Sequence, residues 1–247
     1  MPSITYNGVD LSAATYDLVV TTSDPSAQLV SESFQLLTKS YSPEGKFPPK
    51  SLVMGVSVTG TSRADIESKL DSIKAVLNQR MSKKLILSTL SDRYWMARFQ
   101  GLSGSYPSPT MFRGTLSFTC FDPFAYAVTE SDDTYDLDAD PKVITVTSEG
   151  SADSEPILYL KAGEAWDASV SISNAGIGMV FEYSGAIADG HTLIINCQSW
   201  YVSLDGSTAM ADISGQFPVL KPGANSISVV GFGVLGTLRI RYRARFI

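Results

Sequence analysis

A single histidine, His191, and two cysteines, Cys120 and Cys197, are all that this 247-residue chain offers of the side chains on which most nucleophilic and metal-dependent chemistry relies. Any Ser-His-Asp or Cys-His scheme must use His191, which follows the turn signal Asp189-Gly190, and no G-x-S-x-G elbow presents a nucleophile. Short Cys/His spacings are absent too, so a zinc site would have to gather Cys120, Cys197 and His191 from distant stretches. The reading is no catalysis, no metal and no cofactor. The wide spacing of the cysteines predicts two buried free thiols in a reducing compartment rather than a bridge. No apolar run approaches the length that spans a bilayer, and MPSITYNGVD has neither a basic nor an apolar leader region, so a soluble chain without membrane insertion is expected. Positive charge is also short: 19 Lys and Arg stand against 25 Asp and Glu, a net charge of −6, where a general nucleic-acid binder is basic.

What is present is β structure. Turn signals recur at Asn7-Gly8, Asp24-Pro25, Asp189-Gly190, Asp205-Gly206 and Pro222-Gly223. Between them lie runs rich in β-branched and aromatic residues, such as SLVMGVSVTG, GTLSFTCF and TLIIN. One segment departs from this pattern. Ile66, Leu70, Ile73 and Leu77 recur at helical spacing, with Ser62 placed to cap and Asp65 at the capping-box position, which predicts a helix over 62–80. The fold class is therefore mainly β with one helix.

The acidic stretch ESDDTYDLDADP carries six carboxylates and no basic residue, and is expected to be a linker over 129–141. It separates a β domain over 1–128, which contains the helix, from a β-sandwich or jelly roll over 142–247. The last stretch, RIRYRARFI, places Arg239, Arg241, Arg243 and Arg245 at every second position, one face of an extended strand. In an acidic protein these arginines are expected to meet carboxylates of the linker or of a neighbouring subunit rather than nucleic acid.

Three further patterns mimic functional motifs. GFGVLG spells G-x-G-x-x-G, but a strand follows where a dinucleotide site needs a helix, so a hairpin loop is the expectation. Asp136, Asp138 and Asp140 open like a calcium loop, yet Pro141 stands where Gly is needed and Thr147 where Glu should close the shell. Trp166, Trp200 and Tyr201 are able to form a sugar platform, although both tryptophans sit in strand-like runs where core packing is the ordinary use.

TCFDPFAY, residues 119–126, ends the first half with an aromatic strand and the tag Asp122-Pro123-Phe124-Ala125-Tyr126. With the opening ITYNGVDLS, the helix, the run LILSTLSDRYWMARF, the acidic stretch, SADSEPILYLKAG and the loop VLKPGANSISV, in that order, the sequence resembles the distal tail proteins (Dit) of long-tailed, siphovirus-type bacteriophages. The resemblance implies an N-terminal domain, barrel-like or sandwich-like, that forms a homo-hexameric ring, and a C-terminal β-sandwich of galectin-like or carbohydrate-module-like type. It further implies a structural virion protein at the tail tip, made in the host cytoplasm, whose ring joins the tail tube to tail-tip or baseplate hub proteins, and it leaves open a receptor-binding protein as a further partner. A long β-hairpin arm would reach the neighbouring subunit; residues 31–58 supply it, with Phe34, Leu36, Leu37, Tyr41 and Phe47 as interface residues. The rival reading is a lectin-like, carbohydrate-binding sandwich that attaches to the host surface.

Overall fold

A computed structural model describes residues 3–23, 48–167, 169–231 and 235–247. The five residues expected at the subunit interface, Phe34 to Phe47, lie outside these, as does Gly233 of the glycine motif. The chain divides into two compact units, Met1–Val128 and Thr129–Ile247.

In the first unit the strands are β1 (Ile4–Tyr6), β2 (Val9–Asp10), β3 (Leu18–Ser23), β4 (Lys50–Thr59), β5 (Lys83–Leu87), β6 (Arg93–Ser108), β7 (Met111–Cys120) and β8 (Ala125–Ala127). They pair antiparallel in the order β2-β1-β5-β6-β7-β4-β3, with β8 beside β6, an open path rather than a closed barrel among the described residues. Asn7 and Gly8, both at positive φ, form the two-residue connection between β1 and β2, the geometry an Asn-Gly hairpin supplies. Strand β4 alternates buried Leu52, Met54, Val56 and Val58 with more accessible residues, the period-two pattern of a half-covered sheet.

Helix α1 (Arg63–Leu77) packs over β4 and β7 with Ile66, Leu70, Ile73 and Leu77 buried, as the spacing predicts. Ser62 Oγ accepts the Asp65 N–H at 3.2 Å, and the Asp65 carboxylate accepts the Thr61 N–H at 2.8 Å, so the first turn is closed from both directions. The helix stops three residues short of its expected end at 80 because the Asn78 cap N–H bonds Lys74 while the backbone turns away.

The tag that prompted the resemblance has a local mechanism. Asp122 accepts the Phe124 N–H at 3.2 Å and a short bond from the Tyr126 hydroxyl, so one carboxylate ties both ends of the turn around Pro123. The turn returns the chain to β6, where Ala125 is buried and Tyr126 stacks on Tyr94 at 5.7 Å.

The second unit is a sandwich. Its strands are β9 (Ser131–Asp136), β10 (Lys142–Ser148), β11 (Ile157–Ala162), β12 (Val170–Asn174), β13 (Met179–Tyr183), β14 (Thr192–Asn196), β15 (Tyr201–Leu204), β16 (Ser207–Thr208), β17 (Ile213–Gly215), β18 (Gly223–Val230) and β19 (Gly236–Tyr242). One sheet runs β10-β18-β12-β13-β17 and the other β16-β15-β14-β11-β19-β9. Their inner faces share one core, including Ile144, Ile172, Phe181 and Val229 from the first and Leu160, Ile195, Val202, Leu238 and Ile240 from the second.

Two expectations change here. The acidic stretch is not a free linker: β9 pairs antiparallel with β19, and Leu137 just beyond it is 1% exposed within the core. The glycine motif is not a hairpin loop either, because the strands on its two sides, β18 and β19, belong to different sheets.

Candidate functional site

Strand β19 buries Leu238, Ile240 and Tyr242 and turns Arg239 and Arg241 outward, so the two-faced strand read from RIRYRARFI is present as far as Tyr242, where the strand ends; Arg243 lies beyond it and Arg245 in a separate short strand, Arg245–Phe246. In register, Arg241 stands opposite Asp132, but the long side chains reach diagonally. Arg239 grips Asp132 through Nε and Nη2, while Arg241 Nη2 reaches Glu130 at 2.9 Å and its Nε stands 4.0 Å from Asp132. Arg243 Nε lies 3.9 Å from Glu130, and Arg245 Nη1 lies 3.3 Å from Glu155. Tyr159 on β11 sits on the other side of β19. Its ring centre is 5.5 Å from the Arg239 guanidinium and 5.9 Å from that of Arg241, and its hydroxyl meets Arg241 Nη1 at 3.2 Å.

The electrostatics follow from this lattice. The hydrogen bonds from Arg239, then its charge and that of Arg241, hold the Asp132 carboxyl below its usual range, while Asp132 and Glu130 raise the arginines above theirs. The network fastens the acidic edge strand β9 to β19. Its guanidinium groups are engaged within the unit, which leaves less charge to offer to phosphates.

Two further carboxylates of the same stretch make local contacts. Asp138 pairs with Lys142, and Asp140 accepts the Gly231 N–H at 3.1 Å. Among the described residues, no three His, Cys, Asp or Glu side chains gather as a metal-binding group. His191 Nδ1 lies 2.6 Å from Asp205, whose other oxygen accepts the Thr192 N–H, so the histidine closes the β14–β15 end of the sandwich. Cys120 and Cys197 are buried free thiols; burial pushes Cys120 up to about 12 against the pull of Lys50, and pushes Cys197 up with help from the Glu155 charge. No described helix is long and apolar enough to cross a membrane.

The tryptophans part company. Trp166 is core, 1% exposed, with Nε1 donating to the Leu235 carbonyl at 3.4 Å. Trp200 is 70% exposed, in a turn rather than a strand, and stacks on Phe217 beside a cleft of about 440 Å3 bordered by Glu155, Gln216 and Val219. Sequence reasoning named Trp200 as core material and missed its partners Phe217, Gln216 and Glu155. The usable signal was Asn196-Cys197-Gln198-Ser199, a turn composition just before the tryptophan.

Residues 149–246 match the family model described as siphovirus-type tail component, C-terminal domain. Along its whole length the chain superposes on all of SPP1 Dit, described as a paradigm of the hub adsorption apparatus in phages infecting Gram-positive bacteria, with a TM-score of 0.71 and 14% identity. Chains of the phage P2 baseplate in its activated conformation, with Ca and with Sr, align over 97% of each chain at 7% identity, with TM-scores of 0.43 and 0.42, too distant to carry argument. None of the curated proteins matches the sequence. The second unit thus carries a siphovirus-type tail component domain over 149–246, and the chain has the fold of SPP1 Dit along its full length.

Proposed function

We propose that this chain is a structural hub protein of the distal phage tail, six copies of which close a ring between the tail tube and the tail-tip or baseplate proteins. The observation that carries the reading is the agreement in fold with SPP1 Dit over the full length of both chains, joined to the tail-component match of residues 149–246. The chemistry of the described residues is consistent with a structural role: both thiols are buried, and His191 is held by Asp205. The protein is placed in the virion, after synthesis in the host cytoplasm, and it works without a cofactor or catalysis.

A head-to-tail contact repeated by a fixed rotation closes into a ring. Phe34, Leu36, Leu37, Tyr41 and Phe47 are proposed to supply the apolar part of that contact, since leaving such surface in water costs roughly 25 cal/mol per Å2. Native mass spectrometry of the purified full chain tests the reading. A species of six chain masses is expected, and a protein that stays monomeric throughout the micromolar range overturns it.

A further inference from the structure

The geometry points to a saccharide-binding subsite on the C-terminal sandwich, in which one face of a neutral pyranose ring lies on the exposed indole of Trp200 and its hydroxyls meet Glu155 and Gln216. This goes beyond the hub reading and does not depend on it.

An indole in water loses free energy unless something covers it, and Trp200 is displayed rather than incidentally uncovered. Its backbone takes φ 54°, a left-handed conformation unusual for a bulky residue, at the end of the 197–200 turn. That turn is built by Asn196, whose Oδ1 accepts the N–H groups of both Gln198 and Ser199 at 3.1 Å. Gln198 Nε2 then donates to the Glu155 carbonyl at 3.1 Å, so the turn that carries the platform is tied to the segment that carries the carboxylate. The indole is backed by Phe217, nearly parallel at 19° with centroids 6.5 Å apart, and Phe217 by the buried Phe181 at 5.5 Å. The platform is thus rigid and reaches from the core to solvent. Gly215, which borders the cleft, sits at φ 83° with the Val180 carbonyl oxygen 2.2 Å from where a Cβ would stand, so the backbone here requires glycine.

The ligand class follows from what borders the cleft. A volume of about 440 Å3 is that of a small-molecule site rather than a packing gap. The negative face of an aromatic ring attracts the polarised C–H groups of a sugar's apolar face. The Glu155 carboxylate, held by Arg245 at 3.3 Å, can still accept hydroxyl protons, and the Gln216 carboxamide both accepts and donates, which suits the mixed demands of a diol. Among the described residues no Lys or Arg lines the cleft itself; Arg245 stands behind Glu155 and balances its charge, which suits a neutral ligand.

Intrinsic fluorescence is a direct readout, because Trp95 and Trp166 are 3% and 1% exposed and Trp200 is the solvent-sensitive emitter. Maltose, lactose, cellobiose and diacetylchitobiose are titrated into the full chain to tens of millimolar. At least one is expected to shift the emission to the blue with saturation. Trp200→Ala should weaken that saccharide about tenfold or more, measured by saturation-transfer NMR, with an unchanged melting temperature. Gln216→Ala should weaken it several-fold, and Trp200→Phe should keep part of the affinity. An emission that no saccharide moves overturns the proposal, as does saccharide binding that survives Trp200→Ala undiminished, or a Trp200-dependent response to protein partners alone.

Discussion

Arg239 closes a two-point fork on Asp132 across the β9–β19 pair, although the residue directly opposite Arg239 in register is Thr134. The diagonal reach lets one carboxylate serve two arginines, since Arg241 Nε also stands 4.0 Å from Asp132. The fork depresses the Asp132 carboxyl, so the folded protein resists its protonation more than the unfolded chain does. That contribution is complete above the ordinary carboxylate value, about pH 4, and disappears as the pH falls through the depressed one. Asp132→Asn should therefore flatten the acid limb of a plot of melting temperature against pH, and added salt should mimic part of its effect at neutral pH. An acid limb with the wild-type slope refutes this. The same engagement predicts no tight, salt-sensitive DNA association that the double variant Arg241→Ala, Arg243→Ala abolishes; a band-shift titration at two salt concentrations checks it.

Gly104 and Gly114 pair across β6 and β7 under the ring of Phe112. A Cβ on Gly104 would meet the Arg113 carbonyl oxygen at 2.3 Å and Phe112 Cζ at 2.6 Å; one on Gly114 would meet the Ser103 carbonyl at 2.4 Å. Backbone cannot retreat as a flexible side chain can. Gly104→Ala should cost about 1–3 kcal/mol, by the usual penalty of overpacking. In a chain of this size each kcal/mol lowers the melting temperature by about 2–4 °C. Calorimetry showing no loss refutes the close approach.

Asn225, 3% exposed, organises the loop read in the sequence as VLKPGANSISV. Its Oδ1 accepts from the Lys221 N–H at 2.8 Å and from Asn174 Nδ2 at 2.9 Å, while its own Nδ2 donates to the carbonyls of Lys221 and Gly223. Asn225→Ala strands these groups at a cost of about 1–3 kcal/mol for the least compensated one. Asn225→Asp keeps the acceptor but loses the donors, so it should also destabilise. Chemical denaturation of both variants reads the effect, and a midpoint within error of the wild type counts against the network.

These cases divide by how local the cause is. The helix was legible because Ile66, Leu70, Ile73 and Leu77 bury one stripe whatever else the chain does, and the final strand because alternation needs no partner to be seen. Strand β9 was not legible: SDDTYD has little strand propensity of its own, and its pairing with β19 comes from arginines more than a hundred positions later. Trp200 was misread for a similar reason. Its run reads as strand, and only Asn196 capping the turn and Phe217 arriving from β17's far side leave the indole outside.

Both thiols should be silent in the native protein. With Cys120 pushed up to about 12, its thiolate at pH 8 amounts to about one part in ten thousand, and Cys197 is shifted further in the same direction. Titration with a chromogenic disulfide reagent should count two thiols per chain in guanidinium and nearly none, over the same minutes, in buffer. Rapid native reaction, or fewer than two thiols after denaturation, contradicts this.

The proposed arm makes the assembly itself a prediction. Deleting residues 39–48 removes Tyr41 and Phe47 from the segment expected to reach the neighbouring subunit, while leaving β4, which begins at Lys50, its full length. Burying a side chain of this size stabilises a contact by about 1.5–3 kcal/mol, so each interface that loses two should weaken by at least about a hundredfold. Light scattering over a dilution series should then find the six-chain species of the wild type replaced by monomers and small oligomers in the deletion variant. Circular dichroism and the melting of the sandwich should change little, because the second unit carries its own core. A deletion variant that assembles like the wild type at every concentration would move the assembly surface away from this segment. An unfolded variant is told apart by its circular dichroism, and the milder double variant Tyr41→Ser, Phe47→Ser then decides the same question with the chain length intact.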